Sequence, residues 1–157
     1  MEFDGDHVSS RALTVGAPIH LVIAELRASK DTVRILHDLN SCYPLPDTPA
    51  KANVHWLLGE FNRQVIARAV GALEQGDARA LGALMAQAQA EFDRCATPLC
   101  PSELSAPVLH RVLAHAALQP HIYGGKGVGS QVRACARASS ARARARPRGT
   151  RARTRPH

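Results

Sequence analysis

The sequence predicts an α+β fold: an antiparallel sheet with helices on one face, followed by a disordered arginine-rich tail. Three observations lead there. Apolar, strand-like runs stand at both ends of the body, IHLVIAEL at 19–26 and HIYGGK at 121–126. Amphipathic helical segments lie between them, and strands first, helices next, strand last is the order of a sheet covered on one side. At Gln131 the composition changes to alanine and arginine, with no leucine, isoleucine or aromatic residue beyond it. Such a stretch has little apolar surface with which to offset chain entropy.

The elements follow in order. Asp4-Gly5 is a hairpin signal, and the stretch from there to Gly16 can supply a strand. Pro18 opens the stronger strand at 19–26. Ser29 is placed to cap a helix running to about Leu39, with Val33, Leu36 and the pair Ile35/Leu39 supplying apolar faces. The loop YPLPDTP (43–49) ends in Thr48-Pro49, an N-cap and an N1 proline for a long helix over 49–75. Its inward stripe reads Val54, Leu58, Phe61, Val65, Ala69 and Leu73. Gly76 ends that helix and Asp77 caps the next, over 78–95, with Leu81, Leu84, Ala88 and Phe92 inward. After TPLCP (97–101), Ser105 caps a helix over 106–117, with Pro107 tolerated in its first turn.

The charge divides the chain in two. Nine arginines and no acidic residue lie in 131–157, while the first 130 residues hold eleven basic and thirteen acidic groups, a net of −2. Residues 1–130 therefore read as one incomplete domain and 131–157 as a separate tail, whose composition is that of a GC-rich gene read out of frame. No secretory signal or membrane span is evident, because no apolar run approaches ~18 residues. Cys42, Cys95, Cys100 and Cys135 form no disulfide framework, so a cytoplasmic location is expected. Neither the cysteines nor His110 and His115, five apart in sequence, have metal-ligand spacing.

Gly124-Gly125-Lys126-Gly127-Val128-Gly129-Ser130 is the segment with chemical promise. It is not a P-loop, because the GxxxxGK[ST] spacing is not met, and it is not a GxGxxG dinucleotide fingerprint. Its glycines permit close backbone approach and convergence of N–H groups on an anion, and Lys126 adds a charge. The spacing favours close approach to a ligand or to another loop over a simple turn. Asp4 and Asp6 read as an exposed turn rather than a catalytic base.

Four segments in order resemble the C-terminal part of the GHMP-type small-molecule kinases, the family of galactokinase, mevalonate kinase and homoserine kinase. His20-Leu21-Val22-Ile23-Ala24-Glu25 with Ser29-Lys30-Asp31-Thr32 resembles the strand and helix start that open that half. Gly76-Asp77 with Leu81-Gly82-Ala83-Leu84-Met85 resembles the family's helical hairpin, and Cys100-Pro101-Ser102-Glu103-Leu104 its "CPEL" segment. The glycine loop sits where the family has its third motif, GAKxxGxG. The resemblance covers about residues 10–130. It departs from the family at Ala88-Gln89, where galactokinase-like hairpins have Ser-His, and in lacking a hydrophobic strand after the loop. The second phosphate motif and the GxD segment that supplies the usual catalytic aspartate are also missing.

The resemblance implies an ATP- and Mg2+-dependent phosphotransferase acting on a small-molecule alcohol, with a sugar favoured. Gly124, Gly125, Lys126, Gly127, Gly129 and Ser130 would face nucleotide phosphate, and Ser29 and Thr32 the acceptor. With two motifs missing, this chain is expected to be inactive alone and to hold no nucleotide tightly. The competing expectation is a non-catalytic interaction module, or one whose arginine tail binds nucleic acid without regard to sequence.

Overall fold

The structure, a computed structural model, describes residues 2–27 and 30–128. Helices dominate it. Two three-residue strands, β1 (Glu2–Asp4) and β2 (His7–Ser9), pair antiparallel with Phe3 opposite Val8 and turn at Gly5-Asp6. This hairpin is the only sheet among the described residues. The expected antiparallel sheet with helices on one face is therefore corrected to a helical assembly carrying a small β-hairpin.

The reason lies in what a strand requires. Residues 19–26 have strand composition, but no described segment runs beside them, and without a ladder their backbone groups are left to water. Val22 and Ile23 are 93% and 97% exposed. At the other end, Gln119–His121 is a single 3-10 turn, and the chain beyond it lies on helices rather than on a strand. The expected disordered tail, 131–157, falls outside the described residues.

Among the described residues six α-helices follow the hairpin: α1 (Thr32–Asn40), α2 (Pro49–Trp56), α3 (Asn62–Gln75), α4 (Ala78–Cys95), α5 (Pro101–Leu104) and α6 (Pro107–Leu113). Local chemistry starts several of them. The Oδ1 of Asp31 accepts the Arg34 N–H at 3.0 Å, so Asp31 caps α1. Thr48 Oγ1 accepts the Lys51 N–H at 3.3 Å and Asp77 Oδ1 the Ala80 N–H at 2.9 Å. Ser105 caps nothing: its hydroxyl donates back to the Pro101 carbonyl at 2.7 Å, in the last turn of α5. Accordingly α6 begins at Pro107 without a side-chain cap and ends at Leu113, short of the expected 117.

The link between α3 and α4 is two residues long. Gly76 takes the left-handed conformation, φ +69°, which a side chain disfavours. The Gly76 and Asp77 N–H groups donate to Leu73 and Ala72 at 3.1 and 2.8 Å, the paired bonds that close a helix at a glycine. One residue thus ends α3 and the next begins α4, and the two helices pack along each other. Gly16, from the irregular segment, donates to the Leu73 carbonyl at 3.0 Å and ties the N-terminal region to this corner.

The expected single helix over 49–75 is interrupted by a π turn at Leu57–Phe61. An i→i+5 turn takes in one extra residue and shifts the face that follows. Leu57 is buried in place of the expected Leu58, and Ala72 in place of Leu73. The core draws Ile35 from α1, Leu57 and Phe61 from the π turn, and Cys95, Ala96, Cys100 and Leu104 from the end of α4 through α5. Leu39, Val65 and Phe92 close around it.

Candidate functional site

The glycine loop is laid across α4 and α6. At its start the backbones of Gly82 in α4 and Gly124 meet directly: a Cβ on Gly124 would strike the Gly82 carbonyl, and a Cβ on Gly82 would lie 2.7 Å from the Tyr123 carbonyl carbon. Only glycine at both positions permits this approach. Tyr123 is held beside it by the Arg79 guanidinium, 4.6 Å from the ring centroid.

Beyond Gly124 the residues alternate. Gly125 faces the Leu113 side chain, and Gly127 faces Leu109, whose methyl would lie 3.1 Å from an added Cβ. Lys126 and Val128 between and after them are exposed. The loop is fastened at Gly127, whose N–H donates to Gln89 Oε1 at 2.7 Å. The Gln89 Nε2 in turn donates to Asp93 Oδ1 at 2.9 Å, and the second oxygen of Asp93 lies 3.4 Å from His110 Nε2 on α6. A polar chain thus runs from the loop through α4 to α6. Gly82, Ala86, Gln89 and Asp93 step along α4 by four, three and four, so they share one face. That face carries the loop.

A second junction joins two other segments singled out in the sequence. Glu103, in α5, accepts the Asp31 N–H through Oε2 at 2.7 Å, just ahead of α1. Thr32 is the first residue of that helix and is half-buried. Ser29, Gly129 and Ser130 lie outside the described residues. Among the described residues no hydrogen bond joins Thr32 to the glycine loop; the loop rests on α4 and α6 and Thr32 stands by α5.

Two shallow clefts lie away from the loop. One of about 570 Å³ follows the groove between α3 and α4, past Arg68, Gly71, Leu84 and Gln87. The other, about 400 Å³, opens beside the π turn between Tyr43, His55, Trp56 and Arg63. Lys126 is the described loop residue with a charge to offer an anion. Among the described residues no three His, Cys, Asp or Glu side chains are grouped to hold a metal.

Sequence reading missed Gln89, which stood only as a departure from the Ser-His of galactokinase-like hairpins, and it missed Glu103 as a cap for α1. The signal for Gln89 was available: a small, small, amide, carboxylate series along one helix face. The thiols are structural. Cys42, Cys95 and Cys100 are free and buried, and burial pushes all three pKa values up, away from the reactive thiolate. Comparison with family models, with curated proteins and with solved structures returns no match for the chain.

Proposed function

We propose that the chain is the C-terminal part of a GHMP-family, ATP-dependent small-molecule kinase, with a sugar as the favoured acceptor, and that it does not turn over alone. One observation supports this most: segments that carry the resemblance separately in sequence meet in space. The hairpin segment, at Gly82, touches the third-motif loop at Gly124. The CPEL-like segment, at Glu103, binds the helix start at Asp31. Phosphoryl transfer demands positioned phosphates and a group facing the acceptor hydroxyl. Here the loop would supply one wall of the phosphate site, with Lys126 turned outward, and the start of α1 part of the acceptor side. The second phosphate motif and the upstream aspartate are absent from the sequence, which is why turnover is not expected.

The test is direct. The chain is incubated with ATP and Mg2+ and with galactose, mevalonate or homoserine, and phosphorylated product is measured. No product is expected. A chain extended with a GxD segment upstream and a hydrophobic strand after Gln131 is expected to bind nucleotide, and Gly127→Val in that chain to weaken the binding. Turnover by the unextended chain, lost in Asp4→Asn or Asp6→Asn, would overturn the reading.

A further inference from the structure

We propose that Gln89 is the positioning residue of the glycine loop, pinning Gly127 through an amide whose orientation Asp93 sets. What the loop serves rests on the kinase reading above; the positioning rests on the geometry. Gln89 is 8% exposed, so an unpaired side-chain amide there would be costly. Its two ends differ in kind: the oxygen only accepts and the NH2 only donates. A carboxylate only accepts, so the NH2 must face Asp93, at 2.9 Å, and the oxygen is left for the Gly127 N–H at 2.7 Å. His110 Nε2, on α6, lies 3.4 Å from the second Asp93 oxygen.

The consequence concerns register. The loop alternates, with Gly125 and Gly127 inward and Lys126 outward. A slip by one residue would turn Lys126 towards Leu109 and Leu113 and withdraw its charge from the surface. The bond at Gly127 thus acts with the Gly82–Gly124 contact to hold the register in which the cation points outward. Gln89 touches neither nucleotide nor acceptor in this account; it acts through the loop.

Amide hydrogen exchange of Gly127, read by NMR in the full chain, tests this without any nucleotide. Gln89→Leu should speed exchange at Gly127 by about tenfold or more, the effect of a lost buried bond, while amides in the middle of α3 keep their rates. Asp93→Ala should speed it less, and should add nothing in a Gln89→Leu background, because both act through one amide. Asp93→Asn, which keeps an acceptor for the Gln89 NH2, should restore near-native protection. Should Gln89→Leu fail to fold, Gln89→Met gives the same reading with an unbranched chain. Unchanged Gly127 exchange in the Gln89 variants would overturn the proposal, and so would additive effects of Gln89→Leu and Asp93→Ala. Failure of the extended chain to bind nucleotide would count against the kinase reading alone.

Discussion

Gly82 and Gly71 are both helical glycines, but they differ in what surrounds them. An added Cβ on Gly71 meets nothing nearer than the end of the Gln75 side chain, at 3.9 Å, whereas on Gly82 it runs into Tyr123 and Gly124. Gly71→Ala should therefore stabilise the protein by up to about 1 kcal/mol, the ordinary gain of alanine over glycine in a helix. Gly82→Ala should gain the same propensity and still destabilise by about 1–3 kcal/mol net, because the loop must lift. Urea unfolding of the two variants separates the cases. Phe61, 8% exposed in the main core, is the side chain whose truncation should cost most, about 3–5 kcal/mol for Phe61→Ala. The buried thiols set a pH limit. Their pKa values are raised in the folded state, so the unfolded chain ionises first and stability should fall as pH rises past the ordinary thiol range. Alkylation at neutral pH should leave Cys42, Cys95 and Cys100 unmodified until the protein unfolds; rapid native labelling would contradict their burial.

Helix starts and the hairpin at Asp4-Gly5 were legible in the sequence, the larger sheet was not, and the difference is physical. Asp77 and Thr48 cap helices through bonds three residues away, and Gly76 ends one by its own conformation, so each signal is complete within a few residues. Asp77→Ala should accordingly cost about 1 kcal/mol, measured by denaturation, with the loss concentrated in the first turn of α4. Ser105 had the same appearance as Thr48 but bonds backwards to Pro101, a choice made by the α5 turn before it. A strand, by contrast, is a relation between segments. Residues 19–26 carry the pattern, yet nothing in the pattern states that a neighbour exists, and none stands beside them among the described residues. The π turn was equally hidden: Leu57 and Leu58 are both leucine, and only packing decides which one faces the core.

Across the whole molecule, charge separates the body from the tail. Residues 1–130 carry a net charge of −2 and the remaining residues nine arginines, so any binding of nucleic acid should reside in 131–157. Deleting that segment should abolish DNA binding at moderate salt, and affinity retained by residues 1–130 would reveal a site on the body. No helix among the described residues is long and apolar enough to cross a membrane. For the loop, glycine density indicated close approach to a ligand or another loop; the approach is made instead to a helix, α4, with one N–H taken by Gln89. Which partner the loop meets depends on the fold of α4, and so was not legible in the loop's own residues. The central claim is that this loop is laid backbone to backbone on the hairpin helix, with Lys126 outward. The most direct test is a nuclear Overhauser measurement on the isotopically labelled chain. Cross-peaks from the Gly82 Hα protons to the Gly124 amide and the Tyr123 Hβ protons are the predicted result. Their absence, with the α4 amides still protected from exchange, would contradict it.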